Sequence, residues 1–181
     1  MFHRTLALLL LIPLCALAQG ERSVIPLERG ATTAAASIEV AEGDDQGYRL
    51  VFHLSGLEHE SIKLQEQSFD ELSIPGGGVR GALGQMALPT YTQLVALPTG
   101  TTASASIVAK TTHSLSAISP SPRQDVRNSR QDEPAPSLAR YGTTPSSPLD
   151  ITVGEVTYLH GQRVVAVTVA PVAYDAESGM L

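Results

Sequence analysis

The residues with the clearest chemistry to offer are four arginines, Arg123, Arg127, Arg130 and Arg140, gathered in one Pro- and Ser-rich stretch of an acidic chain. A guanidinium is permanently charged and planar, and its fork fits a carboxylate in a partner's pocket. Arg80, in a glycine-rich turn, offers the same group from a second place. Everything else that resembles a reaction centre fails on spacing. His59-Glu60-Ser61-Ile62-Lys63 begins like a zinc-peptidase helix, but Lys63 stands where the second histidine ligand must be. Gly76-Gly77-Gly78 is not followed by the Gly-Lys-Ser/Thr of a phosphate cradle and reads as a turn. Asp44 and Asp45 lack the distal glutamate of a calcium loop and read as turn residues. There is no Gly-x-Ser-x-Gly elbow. Ser, His and Asp are present, but whether any three come within hydrogen-bond reach is not readable from their positions.

The only cysteine, Cys15, lies in an N-terminal stretch with the marks of an export signal. Arg4 is followed by the apolar run Leu6 to Leu14 and by Ala16-Leu17-Ala18, with small residues where a signal peptidase looks. Cleavage between Ala18 and Gln19 is the expectation. It leaves a chain with no thiol nucleophile, disulfide or thiolate metal site. It also removes Arg4, which moves the net charge from −6 to −7. So acidic a chain has no electrostatic reason to bind nucleic acid or an anionic membrane. No segment after the signal is apolar for long enough to span a bilayer, so no stable membrane insertion is expected. No cofactor is expected.

The elements that must position these groups alternate with period two, the strand signal. Tyr48, Leu50, Phe52 and Leu54 share one face of a strand, and Ser37 to Ala41 is expected to pair with it as a hairpin. Ile62–Leu64, Leu72–Ile74, Tyr91–Leu97, Ala103–Lys110, Ile151–Val153 and Val156–Leu159 are further expected strands. Val164 to Val169 is apolar on both faces and so predicts a central strand. Residues 112–148, rich in proline and serine, predict a long loop. The expected fold is therefore all-β: a β-sandwich or half-open barrel of about eight short strands with one long Pro/Ser-rich loop. The domain is placed at 35–181, after a signal at 1–18 and a leader segment at 19–34.

Two stretches carry a resemblance. The first runs Ser68-Phe69-Asp70-Glu71-Leu72-Ser73-Ile74-Pro75-Gly76-Gly77, then Gly84-Gln85-Met86-Ala87-Leu88-Pro89, then Val95-Ala96-Leu97-Pro98-Thr99-Gly100. The second is Leu159-His160-Gly161-Gln162-Arg163-Val164-Val165, then Val169-Ala170-Pro171-Val172-Ala173-Tyr174-Asp175. Together they resemble the N-terminal propeptide of the gingipain family of secreted cysteine peptidases. Gly84, Leu88, Pro89, Pro98, Gly100, Gly161, Arg163, Pro171 and Tyr174 are the matching motif positions. Met86 departs where the family usually has proline, and His160 where it often has arginine.

The resemblance implies a β domain that precedes a caspase-like catalytic domain, keeps it latent and assists its folding, by binding rather than catalysis. The catalytic His and Cys would belong to that partner, joined in cis if the gene continues and otherwise met in trans. It implies an exported bacterial protein, periplasmic, on the cell surface or extracellular. It also implies a C-terminal end that is incomplete. The clustering of arginines in the Pro/Ser-rich loop adds the expectation that one among Arg123, Arg127, Arg130, Arg140 and Arg80 mimics a substrate or marks a processing cut, against the plainer reading of a solvated loop. The alternative is a free-standing exported β-sandwich that binds a protein or a glycan.

Overall fold

The computed structural model describes residues 22–44, 47–124, 141 and 144–181. Among them the chain is all-β, with no closed barrel. Ten strands form three sheets. They are β1 (Arg22–Pro26), β2 (Ala36–Asp44), β3 (Gly47–Leu54), β4 (Gly56–Leu64), β5 (Gln67–Ser73), β6 (Gly78–Arg80), β7 (Leu88–Ala96), β8 (Asp150–Val153), β9 (Thr157–Leu159) and β10 (Gln162–Ala170). One sheet runs β1-β4-β5, a second runs β6-β7-β10-β8 with β9 also on β10, and β2-β3 is a separate ribbon. Every ladder is antiparallel.

The hairpin expected from Ser37–Ala41 and 48–54 is the β2–β3 ribbon, with Ile38 opposite Phe52. A bulge between Val40 and Glu42 shifts its register. The Val164–Val169 run is β10, central between β7 on one side and β8 and β9 on the other. Its neighbours Val164 and Val165 point to opposite faces and are both buried, as a central strand requires.

Three readings of local sequence need correction. Residues 103–110 alternate like a strand but join no ladder, even though the edge of β7 facing away from β10 is paired only at Leu88–Thr90. Arg22–Pro26, within the stretch set apart as a leader, is a strand paired along its whole length with β4. Its five residues alternate too briefly to be read locally; β4 decides its structure. Gly78–Arg80, read as turn, forms a short strand on β7.

The main core lies where the β4–β5 pair meets β7 and the chain after β10. Leu57, Ile74, Met86, Leu88 and Val172 are its buried centre. Leu57 is 1% exposed, so its burial contributes about 1.5–3 kcal/mol. Ala36 and Leu54 bring the β2–β3 ribbon onto this core, and Phe52 meets Tyr91 of β7 with the rings tilted and their centroids 5.8 Å apart. A smaller cluster of Leu97, Val165 and Val167 packs one face of the second sheet.

Candidate functional site

The long loop leaves and rejoins the domain at one place. Its outgoing leg, residues 119–123, is laced between β5 and the turn before β7. The Asp70 amide donates to the Ser119 carbonyl at 2.7 Å, and the Ser121 amide donates to the Asp70 carbonyl at 2.8 Å. The Ser119 amide also donates to the Asp70 carboxylate at 2.7 Å. On the other side the Ala87 amide donates to Ser121, and the Arg123 amide to Gln85, at 2.8 and 2.7 Å. Pro120 and Pro122 are fully buried here, and each fixes φ for an extended run at no cost in lost donors.

The returning leg, Tyr141 and 144–148, closes onto the first. The Tyr141 hydroxyl donates to the Pro120 carbonyl at 2.6 Å. Its ring meets Phe69 edge-on, with centroids 5.1 Å apart. Thr144 accepts from the Met86 amide at 3.2 Å and donates its hydroxyl proton to the Tyr141 carbonyl at 2.9 Å. A proline at position 86 would have no amide to donate, so Met86 supplies a bond that joins the legs. Burial, then the neighbouring Tyr174 and Asp70, push the Tyr141 phenol up to about 12. The result is a closed neck built on Phe69, Asp70 and Met86.

Asp70 also heads a chain of polar contacts across the first sheet. His59 Nε2 lies 2.7 Å from its carboxylate, and His59 Nδ1 lies 3.0 Å from Ser23 Oγ. Ser, His and Asp are thus brought within hydrogen-bond reach, which their separation in sequence could not reveal. The surroundings oppose nucleophilic chemistry. Beside His59 is a cavity of about 140 Å³ lined by Glu58, Glu60 and Glu71 together with Arg22 and Ser73, whose donors are engaged by Glu60 and Glu58, so an oxyanion would meet carboxylates. The contacts instead tie β1, β4, β5 and the outgoing leg together. Among the described residues no group of three or more His, Cys, Asp or Glu is placed to hold a metal ion.

The sequence-derived candidates are placed unevenly. Arg80 turns inward, and its Nη2 donates to the Pro148 and Val172 carbonyls at 2.8 and 2.7 Å. Its Nε is buried without a partner, and desolvation lowers its pKa. Arg123 donates through Nη1 to the Gly81 carbonyl. Arg127, Arg130 and Arg140 lie outside the described residues, as do Ala18 and Gln19.

The motif positions do structural work. Arg163 donates to the Pro98 and Thr101 carbonyls and so joins the two motif stretches. Gly100 and Gly161 take positive φ in the turns on either side of that link, at 78° and 81°. His160 shares the second turn at φ 49°. Gly84 is buried at φ 80° and donates its amide to Arg123. Leu88 and Pro89 are buried at the start of β7. Pro171 follows β10, and Tyr174 exchanges backbone hydrogen bonds with Ser147 at 2.7 Å, fastening the returning leg. Sequence reasoning passed over Tyr141 and Thr144, and it weighed His59 only as a zinc ligand and Asp70 only within a motif stretch; the one signal for the neck was an aromatic residue inside a Pro/Ser-rich loop.

The sequence model described as Propeptide_C25 matches residues 32–180. Two solved structures share the fold. One, of gingipain K from Porphyromonas gingivalis, addresses that protein's zymogenic latency. It has a TM-score of 0.67 at 20% identity and covers 90% of this chain and 92% of that one. The other is a complex of the pro- and mature domains of RgpB from the same organism. It has a TM-score of 0.65 at 14% identity and covers 79% of this chain and 77% of that one. No curated protein matches the chain.

Proposed function

We propose a function from one premise: this chain belongs to the Propeptide_C25 family. It is the pro-region of a gingipain-type cysteine peptidase, and it is non-catalytic on its own. Our reading is that it acts by occupying the surface of its cognate catalytic domain, which holds that domain latent and helps it fold. The partner is joined in cis where the gene continues and is otherwise met in trans. The setting is outside the bacterial cytoplasm.

The observation that carries this reading is the family match over nearly the whole domain, taken with the closed neck at its long loop. A neck limits the conformations of whatever it presents, and so reduces the entropy lost on binding. Between its two legs the sequence carries Arg127, Arg130 and Arg140. An arginine there fits an acidic specificity pocket by a bidentate pair. Arg80 and Arg123 are less suited, since each already donates to carbonyls of its own domain.

The test is inhibition of the cognate peptidase by the purified domain and by five variants, Arg80→Ala, Arg123→Ala, Arg127→Ala, Arg130→Ala and Arg140→Ala. Wild-type domain is expected to inhibit, and one loop variant to lose at least about tenfold, the loss of a charge-assisted pair. Arg80→Ala and Arg123→Ala should act through thermal stability instead. Equal inhibition by all five retires the arginine assignment, and a wild-type domain that does not inhibit retires latency itself.

A further inference from the structure

Residues 102–114 are extended and exposed apart from half-buried Ala103, and among the described residues they make no hydrogen bond at all. Fasteners stand on both sides. Thr101 is held by Pro98 and Arg163, and the Leu115 amide donates to the Leu181 carbonyl at 3.0 Å. Between them the chain has the composition of a strand. Ala103, Ala105, Ile107 and Ala109 fall on one side of an extended backbone; Ser104, Ser106, Val108 and Lys110 fall on the other. Ile107 is 46% and Val108 80% exposed. Apolar, β-branched residues in an unpaired extended run are an open offer of main-chain donors and acceptors. β10 has both edges taken, and no other strand of the domain pairs with this run.

We propose that residues 103–110 are a docking strand that adds to an exposed sheet edge of the peptidase's catalytic domain. The inference rests on the pro-region reading above and names part of its interface. Affinity would come from main-chain hydrogen bonds, with Ile107 or Val108 covered on the partner. Two features point to that occupant. The strand leads directly through Leu115 into the leg that begins the arginine loop, so strand and loop can engage one continuous surface. And from Leu72 to Gln124 the chain has no Asp or Glu, while it carries Arg80, Lys110 and Arg123. Lys110, the one charge of the strand itself, suits an acidic surface beside the partner's edge.

Amide hydrogen exchange on the domain, alone and mixed with its cognate catalytic domain, tests this. Amides 104–109 are expected to exchange freely in the domain alone. In the complex, alternate amides should slow by at least tenfold, since successive strand amides point to opposite edges. Binding by Ile107→Pro and Val108→Pro then gives a second signature. One variant should lose at least tenfold in affinity and the other little, and both should keep wild-type thermal stability because neither amide is bonded in the free domain. A complex that forms with 104–109 unprotected overturns the docking strand and leaves the pro-region reading standing. Protection that rises with concentration of the domain alone overturns it in favour of self-pairing. No complex at all sinks the pro-region reading and the strand with it.

Discussion

Replacing Tyr141 by Phe tests whether the neck is held by a hydrogen bond or by packing alone. The substitution keeps the ring, and so keeps the edge-on contact with Phe69 at 5.1 Å. It removes only the hydroxyl that donates to Pro120 at 2.6 Å. Pro120 is fully buried, so its carbonyl loses its protein donor in a place water reaches poorly. An acceptor stranded in that way costs about 1–3 kcal/mol. Half-exposure of Tyr141 itself places the expected loss toward the lower end, about 1–2 kcal/mol. Urea denaturation followed by circular dichroism measures it as a lower midpoint at unchanged slope. If the neck opens ahead of the rest, the potency of the domain as an inhibitor should fall by up to about 5–30-fold. A spectrophotometric titration near 295 nm gives an independent check. Wild type should show one tyrosine ionising near 12, and the variant should lack it. The sign follows: a phenol whose folded pKa lies above the unfolded value near 10 favours the folded state below pH 10. That stability is lost as pH rises through about 12. Unchanged midpoint, unchanged inhibition and no late-ionising tyrosine would together refute the reasoning.

Arg80→Ala should destabilise the domain by about 1.5–3 kcal/mol, because two carbonyls lose a charged donor; a thermal melt unchanged from wild type contradicts this. Gly81→Ala should be worse than Gly161→Ala. Both glycines have positive φ, but a Cβ at Gly81 overlaps the Met86 carbonyl oxygen, whereas at Gly161 nothing lies within 4 Å. The second substitution then costs only the left-handed backbone penalty of about 1–2 kcal/mol, and melts of the two variants should separate clearly. Asp70→Ala frees both His59 and the Ser119 amide and should speed proteolytic nicking around residues 119–123, while Asp70→Asn, which can still accept from Ser119, should be milder. Ser23→Ala should leave inhibition of the peptidase unchanged, since Ser23 makes one exposed contact to His59.

Local pattern alone was enough for those parts whose burial is decided within a few residues. The β2–β3 hairpin, the doubly buried β10 and the glycine turns follow from period-two alternation, a valine run and residues that tolerate positive φ. Motif order along the chain was enough for the family. Tertiary structure decided what depends on partners far away in sequence. β1 exists because β4 offers it an edge, whereas Ala103–Lys110, equally strand-like, joins no ladder, and nothing in its own alternation tells the two apart. Arg80 and Arg123 look like free charges in sequence, yet folding points them at carbonyls up to 92 residues away. The neck was illegible for the same reason: Phe69, Asp70, Met86, Pro120, Tyr141 and Thr144 converge only in three dimensions. Alternation states what each side chain prefers, but a hydrogen bond needs two groups at one distance, and only the packed chain sets that distance.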